Sequence, residues 1–158
     1  MKLYLLRHGE AEHHAPTDAQ RKLSSQGRED VARVARLFKD KQLSLQRCIA
    51  SPYLRAQQTA EIFLKSAELP LSLETDATLI PEVRAAAVIE FLSNIKEEAV
   101  LLVSHNPVLS ELHALLMDGD IQHMKILNTS ELVCIELEHL GLGMGKCSLD
   151  LGPFSFTH

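Results

Sequence analysis

Three short polar clusters carry the residue types from which phosphoryl chemistry is built: Arg7-His8-Gly9-Glu10, Ser51-Pro52-Tyr53-Leu54-Arg55 and Ser104-His105-Asn106-Pro107. Brought together, they would place two imidazoles and two guanidinium groups around one pocket. A guanidinium offers its N–H groups as a planar fork that meets two phosphate oxygens at once, so Arg7 and Arg55 suit a phosphoryl dianion. A neutral imidazole is a competent nucleophile and a protonated one a good leaving group, and with an ordinary pKa of ~6.5 the ring changes charge near neutrality. His8 and His105 are therefore candidates for covalent phosphoryl transfer, and nearby arginines would favour the neutral form of the attacking ring. Ser51-Pro52 and Asn106-Pro107 each read as a helix cap followed by a first helical proline. Two helix starts there would aim free backbone N–H groups at the same anion.

Each cluster follows an apolar run that reads as a buried strand: Leu3 to Leu6, Cys48 to Ala50 and Val100 to Val103. Between them the spacing predicts helices. Ser24 and Ser25 offer caps for a helix over about 25–40, whose Val31, Val34, Ala35 and Phe38 recur at three- and four-residue intervals. A second helix is predicted from Ser51-Pro52 to about Ala67, a third over Glu82 to Ile95, and a fourth after Pro107 carrying Leu109, Leu112, Leu115 and Leu116. Leu71 to Leu73 reads as a short strand. Glu131 to Glu138 and Ser148 to Leu151 read as a hairpin turned by Gly141 to Gly145. Strands alternating with helices imply an α/β fold: a mostly parallel central sheet with helices on both faces and an antiparallel edge. Such sheets bind ligands at the carboxyl ends of their strands, where the three clusters fall.

Composition bounds the rest. At 158 residues, 46% of them hydrophobic and 23% charged, the chain is expected to be one globular domain spanning 1–158. The net charge of −5 argues against nucleic acid and anionic membranes as partners, so an anion pocket must be a local cluster opposing the global field. Three cysteines without a CxxC spacing indicate neither a disulfide framework nor a zinc site, and a cytoplasmic protein fits best. Nowhere does an apolar stretch approach the ~20 residues of a membrane-spanning helix.

The three clusters, in this order and extended as Leu5-Leu6-Arg7-His8-Gly9-Glu10 and Ser51-Pro52-Tyr53-Leu54-Arg55-Ala56-Gln57-Gln58-Thr59-Ala60, resemble the histidine phosphatase (phosphoglycerate mutase-like) superfamily. The small size and Arg21-Lys22-Leu23-Ser24 through Gly27 look most like its SixA-type phosphohistidine phosphatases. The resemblance implies that His8 becomes phosphorylated, that Arg7 and Arg55 hold the phosphate, and that His105 hydrogen-bonds the transferring oxygens. It implies no metal and no cofactor. The partner it implies is a phosphohistidine-bearing protein such as a phosphotransfer domain; a monomer is the default expectation for the chain itself. Larger superfamily members place a carboxylic acid between the second and third motifs as proton donor. Here Glu82 is the candidate, although its place in a first helical turn is explained as well by the helix dipole. SixA-type enzymes resemble this segment more closely in its Leu79-Ile80-Pro81 form, and the resemblance implies that they dispense with such an acid, as suits an imidazole leaving group.

Two other readings of the same residues stay open: a phosphatase for small phosphate esters, and a non-catalytic module that binds phosphorylated proteins. The remaining histidines, His13, His14, His113, His123, His139 and His158, fall in no metal-binding spacing and read as solvated surface, with His13 and His14 near enough to the first motif to reach the pocket rim. Cys48 and Cys134 read as small buried hydrophobes. The stretch between Arg55 and His105 is used up by helix, strand and helix, which leaves little chain for a lid.

Overall fold

The computed structural model describes residues 1–156, so the expectation for His158 lies outside the described residues. Its first apolar run forms β1 (Lys2–Arg7), buried at Leu3, Tyr4, Leu5 and Leu6 as a strand covered on both faces must be. In chain order there follow α1 (Ser25–Asp40), β2 (Arg47–Ala50), α2 (Leu54–Ser66), β3 (Leu73–Thr75), α3 (Ala85–Leu92), β4 (Ala99–Ser104), α4 (Val108–Asp118), β5 (Leu132–Leu137) and β6 (Gly145–Leu151). The six strands form one sheet in the order β3-β2-β4-β1-β5-β6. β3, β2, β4 and β1 are mutually parallel, and β5 runs antiparallel to both β1 and β6. The α/β expectation with an antiparallel hairpin at one edge is met.

Alternation along the strands assigns each face its helices. Tyr4, Leu6, Cys48, Leu101 and Val103 pack with Val31, Val34 and Phe38 of α1 and Phe63 of α2. Leu3, Leu5, Ile49, Val100 and Leu102 pack with Val88 of α3 and Leu109, Leu112 and Leu116 of α4. The rings of Tyr4 and Phe63 both meet Phe38 edge-on, at centroid separations of 5.4 and 5.3 Å. Such pairs add roughly 0.5–1.5 kcal/mol each beyond their burial. Helix α1 begins as its spacing predicts, with Ser24 Oγ accepting from the Gly27 N–H at 3.0 Å.

Several boundaries differ from expectation, and the two caps nearest the site differ for one reason. Ser51-Pro52 does not start α2, which begins at Leu54; Ser51 Oγ instead lies 2.8 Å from His105 Nε2 and accepts from the Tyr53 N–H at 3.2 Å. Asn106 does not cap α4, which begins at Val108, because its amide is engaged by Leu127 and Ser110. Polar side chains that resembled caps are committed to tertiary contacts. β3 lies two residues later than Leu71–Leu73, set by parallel pairing of Cys48 with Leu73 and Ala50 with Thr75. α3 is shorter than Glu82–Ile95, since Pro81 to Arg84 form turns and Val83 packs against the core below α3 and α4. β6 begins at Gly145, three residues earlier than predicted, paired with Leu137. His113 is a further correction: it is 8% exposed, because the buried face of α4 is wide enough to take it in. His13, His14, His123 and His139 are exposed as expected. Cys48 and Cys134 are buried and free.

Candidate functional site

Register carries the three motifs to one place. Arg7 of β1 is level with Ser104 of β4, and Ala50 of β2 with Val103, so the residues that follow each strand emerge side by side at the carboxyl edge of the sheet. The main chain continues the ladder one step further: the His8 N–H donates to Ser104 O at 3.0 Å, and the Ser51 N–H to Val103 O at 2.9 Å. His8 is thereby fixed at its backbone, and its own carbonyl accepts from the Ser130 N–H at 3.2 Å.

The ring of His8 is oriented as firmly. Its Nδ1 lies 2.7 Å from the carbonyl oxygen of Gly9. A carbonyl only accepts, so Nδ1 carries the proton and Nε2 carries the lone pair. That lone pair faces Arg55, whose Nε–H donates to it at 3.3 Å. Gly9 is held by its N–H on Thr59 Oγ1 at 3.0 Å, and Thr59 Oγ1 donates to the Arg55 carbonyl at 2.7 Å. A Cβ on Gly9 would stand 2.9 Å from both Gly27 O and Val31 Cγ2. Glycine is therefore required by the close approach of α1.

His105 completes the centre from β4. Its ring centroid is 5.1 Å from that of His8 and 5.1 Å from that of Tyr53, and it is 1% exposed. His105 Nδ1 and Arg7 Nε are buried and without a hydrogen-bond partner among the described residues. Both atoms are free to meet an oxygen or a proton brought by a ligand. Arg7 Nη1 donates to Leu127 O at 2.9 Å, a carbonyl that also accepts from Asn106 Nδ2 at 2.9 Å. Ser110 Oγ donates to Asn106 Oδ1 and accepts from the Leu127 N–H, which ties the loop before β5 to α4. Arg7, His8, Arg55 and His105 are thus brought together as the sequence predicts.

Electrostatics keep both rings neutral. Burial, and then the charges of Arg55, Arg7 and Arg21, push the His8 pKa down to about 4, against the opposing bond to Gly9 O. Burial is the larger influence, whereas the sequence reading assigned the effect to the arginines. Burial and the proximity of His8 and Arg55 drive His105 far below the ordinary histidine range.

Glu82 is exposed and occupied: the Tyr53 hydroxyl donates to its carboxylate, at 2.9 and 3.1 Å to the two oxygens. The Tyr53 ring in turn lies under the Arg55 guanidinium, 5.1 Å from Cζ to centroid. His13 and His14 make no hydrogen bond to the site among the described residues. Sequence reasoning missed Asp18, which takes Arg55 Nη1 on its carbonyl at 2.8 Å and Arg55 Nη2 on its carboxylate at 3.1 Å. Its only local signal was an acid three residues before Arg21 in an otherwise aperiodic polar stretch, where a short 3-10 turn over Asp18–Gln20 forms. Among the described residues no group of three or more His, Cys, Asp or Glu side chains is arranged to hold a metal ion.

Comparison with known proteins agrees with this geometry. Residues 3–80 match the family model described as histidine phosphatase superfamily (branch 1). The chain is 30% identical over 159 residues to the phosphohistidine phosphatase SixA of Escherichia coli, covering 96% of this chain and 98% of that protein. It is 33% identical over 124 residues to the phosphohistidine phosphatase SixA homolog of Haemophilus influenzae, covering 72% of this chain and 76% of that one. The structure of the protein histidine phosphatase SixA complexed with tungstate superposes with a TM-score of 0.85 at 28% identity, covering 97% of each chain. Motif order, strand register and near full-length similarity converge on one assignment: the chain belongs to the histidine phosphatase superfamily.

Proposed function

We propose that the protein is a phosphohistidine phosphatase that removes the phosphoryl group from a histidine of a partner protein through a phosphohistidine formed at His8. The observation that carries the reading is the His8 ring: neutral, protonated at Nδ1, with its Nε2 lone pair turned toward a guanidinium that suits phosphoryl oxygens. In the first step Nε2 attacks phosphorus in line, a P–N bond forms to His8 and the P–N bond to the substrate histidine breaks. Arg7, Arg55 and His105 stabilise the charge spreading over the three oxygens. A substrate imidazole that already carries a proton on its other nitrogen departs neutral and needs no acid from the enzyme, consistent with the engagement of Glu82 by Tyr53. Water then attacks the phosphorus of the intermediate, giving inorganic phosphate and restoring neutral His8.

A protein-borne substrate is supported by the names of the relatives and by the chain between Arg55 and His105, most of which is used for α2, β3, α3 and β4, the longest connection being 76–84. We read the partner as a phosphohistidine-bearing protein such as a phosphotransfer domain, met by a monomer in the cytoplasm; the free cysteines fit a reducing compartment. No helix among the described residues is long and apolar enough to cross a membrane.

The test is dephosphorylation of a phosphohistidine-bearing carrier protein beside simple phosphate monoesters, by native protein and His8→Ala, with no divalent metal added. Fast, His8-dependent loss from the carrier is expected. Preference for the esters would move the assignment to a small-molecule phosphatase, and wild-type-like activity of His8→Ala would overturn the nucleophile.

A further inference from the structure

Asp18 presents a contradiction in charge. It is an exposed carboxylate standing at a site that is built for a dianion, and on that ground alone it opposes binding. Its contacts show what it does instead. Arg55 has all three guanidinium nitrogens directed: Nε–H at His8 Nε2, Nη1 at the Asp18 carbonyl and Nη2 at Asp18 Oδ2. A guanidinium is planar, so pinning both terminal nitrogens on one residue fixes the plane and with it the direction of Nε–H. Tyr53 supplies the floor of that plane. The other carboxylate oxygen, Oδ1, accepts from Arg21 Nε at 2.9 Å, and Arg21 Nη1 donates to Glu12 O at 3.2 Å. Arg21 is thereby drawn close enough for its charge to act on His8.

We propose, resting on the reading of this pocket as a phosphoryl site, that Asp18 is a positioning residue: it sets the plane of Arg55 for transfer, holds Arg21 at the pocket mouth, and by its negative charge keeps the enzyme from gripping its phosphate product. Three guanidinium groups without it would bind inorganic phosphate tightly and release it slowly. With it, one of the three charges is offset.

The distinguishing experiment measures kcat and KM on the substrate turned over by native protein, together with the affinity for inorganic phosphate and orthovanadate, in native protein, Asp18→Asn and Asp18→Ala, each checked for an unchanged melting temperature. Asparagine keeps an oxygen acceptor and the backbone carbonyl but loses the charge. Asp18→Asn is expected to lower kcat while binding phosphate and orthovanadate roughly 3- to 10-fold more tightly, and Asp18→Ala to lower kcat further. A carboxylate that merely held the loop in shape would weaken turnover and anion binding together. Loss of anion affinity in Asp18→Asn, or unchanged kcat in both variants, overturns the proposal while leaving the phosphatase reading intact. Failure of native protein to bind either anion would overturn the phosphoryl-site reading and this proposal with it.

Discussion

The state of the His8 ring is the most exposed point of the mechanism. Its pKa of about 4 follows first from burial, and the side chain is only 8% exposed, so solvent screening does little to soften the shift. At pH 5 an ordinary imidazole of pKa ~6.5 is about 3% neutral, whereas one of pKa near 4 is about 90% neutral, a difference of roughly 30-fold in attacking form. The same shift is a stability term. Between the two pKa values the unfolded chain binds a proton that the folded ring refuses, so stability is full above pH ~6.5, falls as pH drops toward 4, and levels off below it. A displacement of that size corresponds to a loss of about 3 kcal/mol at the acid end. Long-range 15N–1H spectra of the imidazoles recorded from pH 8 to 5 test both points without approaching acid unfolding. The His8 signals should stay those of a neutral ring with Nδ1 protonated throughout. An inflection near pH 6.5 at His8, or an Nε2–H tautomer, would refute the nucleophile geometry derived from the Gly9 carbonyl.

Other consequences are quick to check. In Gly27→Ala the new methyl would stand 2.1 Å from Glu10 O, so α1 must pull away from the loop after β1; we expect about 3 kcal/mol of destabilisation in urea unfolding, and a change below about 0.5 kcal/mol would contradict the contact. Ser51→Ala removes the hydroxyl beside His105 Nε2 and should cost about 1–3 kcal/mol of stability together with a fall in turnover, measured by denaturation and steady-state kinetics. Glu82→Gln should change hydrolysis of a phosphohistidine protein by less than about twofold, because its carboxylate serves the Tyr53 hydroxyl; a hundredfold loss would make Glu82 a proton donor after all.

The parts of this molecule legible in its sequence are those with a local physical cause. Continuous apolar runs marked β1, β2 and β4, and the cap at Ser24 marked the start of α1, because strand burial and capping are decided within a few residues. That Arg7, His8, Arg55 and His105 would meet was legible because each lies at or within a few residues of the end of a parallel strand, and those ends share one edge of the sheet. What escaped was set by distant partners. Ser51 and Asn106 had the chemistry of caps and were claimed by His105 and Leu127. Asp18 lies in a stretch without periodicity, and its significance exists only once Arg55, 37 residues away, is folded against it. His113 sat on a helical face whose buried width depends on how α4 meets the hairpin.

The position of β1 in the sheet has a consequence for how the protein is made. Synthesised before the other five strands, it is placed between β4 and β5, with Lys2 paired to Ala99 on one side and to Glu136 on the other. On a ribosome adding ~5–20 residues per second, about 100 residues must follow before either neighbour exists, a wait of roughly 5–20 s. Throughout that interval the apolar run Leu3 to Leu6 has neither of the strands it pairs with, and a bare apolar segment of this kind is prone to pair with other chains. His8 therefore precedes by almost a hundred residues the strand and the second imidazole that complete its site. Truncated products of synthesis that end before β4 would carry His8, Arg7 and Arg55 without His105, together with an apolar strand that has neither of its sheet neighbours.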